Sequence, residues 1–283
     1  MNIKEILSTT SAYFNKYQLT EPRLEAEVLL AHVLKKERIR LYVDYDLPLS
    51  ERELEEYRQL VFRRARRVPL AWLTGEKEFM SLAFDVNEDV LIPRPETEEL
   101  VENIINYCKA RDLTEPNIVD VGTGSGAIAV SLAYYISGAR VLGIDISRAA
   151  LKVAEGNIKK YNLEERVKVL EGDLLLPLIR RKKRNVDIVV SNPPYIDKRE
   201  MKDLPLEVKK EPEIALYGGA DGLDYYRKLI PQSKDVLKED GFLALEIAWN
   251  QATLVKGLFD SSWNNIDIKK DYSGRERMVF GCR

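Results

Sequence analysis

The chain is poor in the side chains that most often carry acid–base and metal chemistry. Its 283 residues include one histidine, His32, and two cysteines, Cys108 and Cys282. A lone histidine makes neither a metal site nor an obvious triad, so His32 reads as a structural residue beside an apolar helical stripe and no metal is expected. The cysteines stand far apart without metal-type spacing, which fits a reducing cytoplasm rather than a disulfide framework. No apolar run approaches the roughly 18 residues of a membrane span. The opening Met1-Asn2-Ile3-Lys4-Glu5 lacks a signal-peptide pattern, so a cytoplasmic chain is expected. Net charge is also small: 44 Lys and Arg against 46 Asp and Glu leave −2. A protein acting mainly on duplex DNA would more often carry a basic excess, so no stable nucleic-acid binding is expected. Two local basic runs remain, Arg63-Arg64-Ala65-Arg66-Arg67 and Arg180-Arg181-Lys182-Lys183-Arg184. The first reads as the solvated end of a helix, where cations suit the dipole, and the second as an exposed linker. The functional alternative is that one run meets an acidic patch on a partner.

What is present is concentrated in a few motifs. The apolar run Val186-Asp187-Ile188-Val189-Val190 reads as a buried strand and leads into Ser191-Asn192-Pro193-Pro194-Tyr195. That loop supplies what a planar NH2 group needs in order to be methylated. An amide nitrogen is a poor nucleophile because its lone pair is delocalised into the carbonyl. A catalyst must hold its two hydrogens and leave one face open to an electrophile, which calls for acceptors without competing donors. The Asn192 side-chain oxygen is one acceptor and the Pro193 carbonyl the other. Two prolines remove two N–H donors and fix two φ angles near −65°. Asn192, preceding a proline, is pushed toward an extended conformation. The Tyr195 ring can lie against the planar group and exclude water.

A second motif supplies a nucleotide crevice. The strand Asn117-Ile118-Val119-Asp120-Val121 runs into Gly122-Thr123-Gly124-Ser125-Gly126 and then into Ala127-Ile128-Ala129-Val130, read as a helix. Glycines let the backbone approach a ligand, and the helix start offers free N–H groups. The next strand, Arg140 to Ile144, ends in Asp145, placed to accept both ribose hydroxyls; NAD and S-adenosylmethionine suit it equally. A third strand, Val167 to Glu171, ends in Gly172-Asp173, where an acid can reach an adenine amino group. Hydride transfer has no evident use for the NH2 clamp on the fourth strand, whereas a methyl donor beside it makes chemical sense.

The chain divides by pattern. Residues 1–72 read as a small helical bundle, with a helix start at Thr20-Glu21-Pro22 and a capping box at Ser50-Glu51-Arg52-Glu53. Residues 73–95 read as a linker with a β-hairpin. From 96 to 283 strands alternate with helices, including helices over Asp224–Leu237 and Gln251–Phe259, which argues an α/β fold with a mostly parallel sheet.

These motifs resemble the HemK/PrmC-type protein-(glutamine-N5) methyltransferases. The resemblance covers almost the whole chain. It includes Glu21-Pro22-Arg23-Leu24-Glu25-Ala26-Glu27, Pro69-Leu70-Ala71-Trp72-Leu73-Thr74-Gly75-Glu76, Leu91-Ile92-Pro93-Arg94-Pro95-Glu96-Thr97-Glu98, Gly218-Gly219-Ala220-Asp221-Gly222 and Gly274-Arg275-Glu276-Arg277. Asn-Pro-Pro-Tyr is shared by several N-methyltransferases; the Ile-Pro-Arg-Pro-Glu-Thr-Glu and Pro-Leu-Ala-Trp-Leu-Thr-Gly-Glu runs are more specific. The resemblance implies a seven-stranded Rossmann-like methyltransferase sheet with its last strand antiparallel, and an N-terminal bundle that recognises substrate. It implies S-adenosylmethionine as donor, S-adenosylhomocysteine as product, and methylation of the Gly-Gly-Gln glutamine of peptide-chain release factors; a monomer is expected. It further implies that the segment carrying Arg94 lines the cofactor pocket, with Gly122, Thr123, Gly124, Ser125, Gly126, Asp145, Asp173 and Asn192. Leu174-Leu175 departs from relatives that carry an aromatic there. Three alternatives stay open: a glutamine methyltransferase of a ribosomal protein, a methyltransferase of nucleic-acid amino groups, and a non-catalytic adaptor.

Overall fold

The computed structural model describes all residues from Met1 to Arg283. The chain forms two compact units: Met1–Glu76 with Pro205–Lys210, and Lys77–Leu204 with Glu211–Arg283.

The first unit is helical: α1 (Ile3–Lys16), α2 (Pro22–Leu34), α3 (Arg40–Val43), α4 (Glu51–Ala65) and α5 (Leu70–Thr74). Local signals set the ends. Asn2 with Glu5 and Ser50 with Glu53 form reciprocal capping boxes that satisfy otherwise orphaned amides at the starts of α1 and α4. Pro22 opens α2, where its missing N–H costs nothing. Ile3, Leu7, Phe14, Leu29, Leu30, Leu41 and Tyr57 make the core. The Arg63–Arg67 run departs from the solvated helix end expected of it. Arg64 is 5% exposed and forms a two-toothed ion pair with Glu25, at 2.5 and 3.0 Å. Glu207, from Pro205–Lys210, meets both Arg64 and Arg67 at 3.1 Å. Those pairs give the physical reason that this segment groups with the helices, outside the contiguous bounds read from sequence. The second basic run is exposed, and so is His32.

A hairpin of β1 (Glu76–Phe79) and β2 (Leu82–Asp85) follows, all of it but Glu76 in the second unit. Then follow α6 (Pro95–Ala110), β3 (Asn117–Val121), α7 (Ala127–Tyr135), β4 (Arg140–Asp145), α8 (Arg148–Lys160), β5 (Val167–Glu171), α9 (Leu176–Arg180), β6 (Val186–Ser191) and α10 (Glu200–Asp203). The chain closes with α11 (Asp224–Val236), β7 (Leu237–Glu246), α12 (Ala252–Lys256), β8 (Asn264–Lys270) and β9 (Glu276–Cys282). Helix α12 is shorter than the Gln251–Phe259 span expected, giving way at Gly257 to turns.

The seven-stranded sheet has the order β5-β4-β3-β6-β7-β9-β8. Strands β3 to β7 pair in parallel, and the final strand β9 lies antiparallel between β7 and β8. The inner strands β3, β4 and β6 read as largely apolar runs because both faces are covered, whereas the edge strand β8 is mostly exposed. Ile188, Val190, Phe242, Ala244, Met278 and Phe280 join the core under α6 and α7, while Val189, Leu243, Leu245 and Val279 join the core under α11 and α12. Successive residues thus face opposite layers, as strand geometry requires. Connections leave β3 toward β4 on one side and the chain returns to β6 on the other. The carboxyl ends of β3 and β6 therefore bound the crevice where open α/β sheets take ligands.

Candidate functional site

Gly122 and Gly124 adopt φ of +74° and +55°, a region that side chains other than glycine rarely enter. The Gly122 and Thr123 amides donate to the Ile144 carbonyl at 2.7 and 3.1 Å, pinning the turn to the end of β4. The Thr123 hydroxyl donates to Asp120 Oδ2 at 2.7 Å. Asp120 is fully buried at the end of β3, and that burial pushes its carboxyl up to about 7. Across the turn, Asp145 accepts the Gly124 amide on one oxygen and the Ser147 amide on the other. An ionised carboxylate offers about four lone-pair sites, so two remain for a ligand.

Beside this turn, β6 delivers the Asn192–Tyr195 loop. The Ser191 hydroxyl donates to the Val121 carbonyl at 2.7 Å, tying the two strand ends together. The loop is held at both ends. Asn192 Nδ2 donates to Thr97 Oγ1 at 3.0 Å, and Thr97 donates onward to Glu246 Oε2 at 2.6 Å. The Tyr195 hydroxyl lies 3.5 Å from Glu246 Oε1, while the Tyr195 carbonyl accepts Gln251 Nε2 at 3.0 Å. Glu246 is 1% exposed, and burial pushes its carboxyl up to about 7. Burial likewise holds the Tyr195 phenol well above its ordinary range, with the Glu246 charge adding to it.

One cavity of about 300 Å³ joins these parts. Gly122, Gly124, Asp145 and Asp173 line it together with Asn192, Pro193 and Pro194, between apolar surfaces from Val90, Ile146, Leu174 and Ile214. The other residues read as site candidates stand behind its wall. Thr123 and Ser125 are buried within the turn, and Gly126 caps α7 with φ of +80°. Tyr195 turns toward Glu246. Arg94 pairs with Glu211 at 2.5 Å, and Glu211 also accepts the Ile92 amide. Arg94 thereby braces the segment whose Pro212, Ile214 and Ala215 line the cavity. Sequence reasoning gave no role to Asp120, Thr97, Glu246, Glu211 or Gln251. A signal existed for two of them: Asp120 and Glu246 are carboxylates set among apolar neighbours, Ile118–Val121 and Phe242–Ile247.

Comparison with known proteins agrees with this arrangement. Residues 5–75 match the family model described as the PrmC N-terminal domain, and residues 97–208 match the methyltransferase small domain. A protein of Moorella thermoacetica named release factor glutamine methyltransferase is 44% identical over 264 residues, 93% of this chain and 92% of that one. A protein of the same name from Clostridium acetobutylicum is 41% identical, over 92% of this chain and 90% of that one. The chain belongs to the release factor glutamine methyltransferase family. A solved methyltransferase from Pyrococcus furiosus, 17% identical with a TM-score of 0.51, covers 73% of this chain and 90% of that chain and shares the fold. The cavity has two chemically distinct walls: a backbone turn with a carboxylate on one, and the proline-rich Asn192–Tyr195 loop on the other.

Proposed function

We propose that this enzyme transfers the methyl group of S-adenosylmethionine to the side-chain amide nitrogen of the Gly-Gly-Gln glutamine of peptide-chain release factors, in the cytoplasm. One observation carries the reading: the glycine turn with Asp145 and the acceptors Asn192 and Pro193 open into a single cavity. The names of the relatives supply the substrate.

The residues present fit the donor. A Cβ placed on Gly122 meets nothing within 4 Å, and one on Gly124 meets only the Gly122 carbonyl at 3.9 Å, so the bare turn leaves an open cradle on the cavity side. Asp145 offers lone pairs to ribose hydroxyls, Asp173 a carboxylate to an exocyclic amine, and Ile146 and Leu174 apolar contact. When bound, S-adenosylmethionine supplies a methyl group that is already strongly electrophilic. The protein's work is positioning, and aligned groups gain about 10⁵–10⁸ M in effective concentration. Asn192 Oδ1 and the Pro193 carbonyl each hold one amide hydrogen of the glutamine, which aims the nitrogen into the cavity. Their pull raises electron density on nitrogen as it pyramidalises. As the N–C bond forms and the bond between the methyl carbon and sulfur breaks, the nitrogen sheds one of those hydrogens as a proton; the Pro193 carbonyl is the first acceptor in its path and solvent takes it from there. Tyr195, anchored at its hydroxyl and carbonyl, keeps the loop from opening. The helical unit, matched over residues 5–75 to a domain of its own, is the part we assign to recognition of the substrate's body.

The test is incubation with labelled donor and three acceptors offered separately: a release factor, ribosomal protein and duplex DNA. Label on the release factor alone is expected. Label on ribosomal protein or DNA in its place would favour the alternatives named above.

A further inference from the structure

Asn192 can present either end of its amide to the cavity, and only one end is useful. An inward carbonyl accepts a hydrogen of the substrate amide; an inward NH2 repels it. Nothing within Asn192 itself decides between the two, because the ends are nearly equal in size and shape. The surrounding hydrogen bonds must decide. We propose that Thr97 and Glu246 are positioning residues that hold Asn192 as an acceptor.

Above the pH at which its carboxyl ionises, about 7, Glu246 is a carboxylate and only accepts. The Thr97 hydroxyl has one hydrogen, and it is directed to Glu246 Oε2 at 2.6 Å. Thr97 Oγ1 can then only accept from the next group, which is Asn192 Nδ2 at 3.0 Å. The NH2 end of Asn192 is thereby committed, and the carbonyl is the end left for the cavity that Asn192 lines. Tyr195 faces the second Glu246 oxygen at 3.5 Å, so the same carboxylate braces both ends of the Asn-Pro-Pro-Tyr loop. Thr97 is 4% exposed and Glu246 1% exposed, so water does not compete for these bonds. A buried carboxylate following the apolar run Phe242–Leu245 is costly, and here it fixes the direction of a hydrogen-bond chain. The inference rests on the proposed reading of Asn192 as the amide clamp.

The chain predicts an asymmetry among near-isosteric substitutions. Thr97→Val keeps the shape and removes the link. Glu246→Gln keeps the volume but adds a donor; the glutamine NH2 can feed Thr97, whose hydroxyl is then free to donate to Asn192 and turn its amide round. Thr97→Ser keeps the link.

The experiment measures kcat, KM for release factor, donor affinity by calorimetry and melting temperature for wild type and these three variants. Thr97→Val and Glu246→Gln are expected to lose about 10²-fold in kcat, the scale of a misplacement of about 1 Å. Donor affinity should stay within about threefold, and Thr97→Ser should keep kcat within the same factor. A readout independent of turnover is the Asn192 side-chain NH2 signal in 15N-labelled enzyme without donor, identified by its disappearance in Asn192→Asp. It should exchange slowly with solvent in wild type and Thr97→Ser, and at least tenfold faster in Thr97→Val. Should Thr97→Val not fold, Glu246→Gln carries the kinetic test alone. Near-normal kcat in both Thr97→Val and Glu246→Gln, or in Glu246→Gln when it stands alone, overturns the inference while Asn192→Ala still inactivates. If Asn192→Ala is itself fully active, the clamp reading beneath it fails as well.

Discussion

The carboxylate of Asp145 accepts the backbone amide of Gly124 at 2.9 Å, joining the end of β4 to the turn that follows β3. Its other oxygen accepts Ser147 at the same distance, at the start of α8. The residue assigned to the ribose is thus also the brace of the glycine turn. Asp145→Ala should weaken donor binding by about 10–100-fold, the loss of a charged hydrogen-bonding group worth about 1.5–3 kcal/mol. Calorimetric titration with the donor checks this, and unchanged affinity would reject the assignment.

Burial of Asp120 and Glu246 predicts a dependence of stability on pH opposite in sign to that of an ion-paired carboxylate. Both carboxyls are raised to about 7 by burial, from ordinary values of 3.8 and 4.5. The folded protein therefore binds these protons more tightly than the unfolded chain does. Unfolding releases protons in this window, so stability falls as pH rises from about 4 to about 7 and stays reduced above it. The charges that modulate Glu246 are Arg277, which opposes the shift, and Glu96, which adds to it. For Asp120 the added charge is Asp145. The lowered carboxyls, among them Asp221 and Asp260 at about 2, act below that window and with opposite sign. Melting curves of Asp120→Asn and Glu246→Gln should be flatter than wild type between pH 5 and pH 8, without a lower melting temperature at pH 8. A slope identical to wild type in both would contradict the shifts.

The ion pair between Arg64 and Glu25 is buried on both sides, at 6% and 9% side-chain exposure. Arg64→Met should destabilise the helical unit by about 3–5 kcal/mol, because the Glu25 carboxyl is left buried without its partner. Replacing both partners, Arg64→Met with Glu25→Leu, should recover most of that loss. Urea denaturation of the two variants compares them; a single variant as stable as wild type would mean the pair is solvated.

Much of this was legible in the chain of letters. The Asn-Pro-Pro-Tyr loop announced itself because an apolar strand ends there and two prolines remove donors. The glycine turn and Asp145 were legible because spacing along a βαβ unit sets which residues meet at the strand ends. Thr97 and Glu246 escaped because their bond spans 149 positions, and local pattern carries no trace of such a pairing. Arg64 misled for a related reason: within its helix it is one of several basic residues, and its partners come from α2 and from residue 207. The stop of α12 at Lys256 was obscured because the apolar residues Leu258 and Phe259 continue beyond it, packing as turns rather than as helix.

The central claim is that a glutamine amide is held at Asn192 while it receives a methyl group. The most direct measurement is mass spectrometry of the Gly-Gly-Gln peptide from a release factor incubated with donor and either wild type or Asn192→Ala. Wild type should add the mass of one methylene to that glutamine, and Asn192→Ala should lower the rate by about 10²–10³-fold, as removal of one preorganised polar group does elsewhere. Methylation at another residue, or an Asn192→Ala rate near that of wild type, would contradict the account.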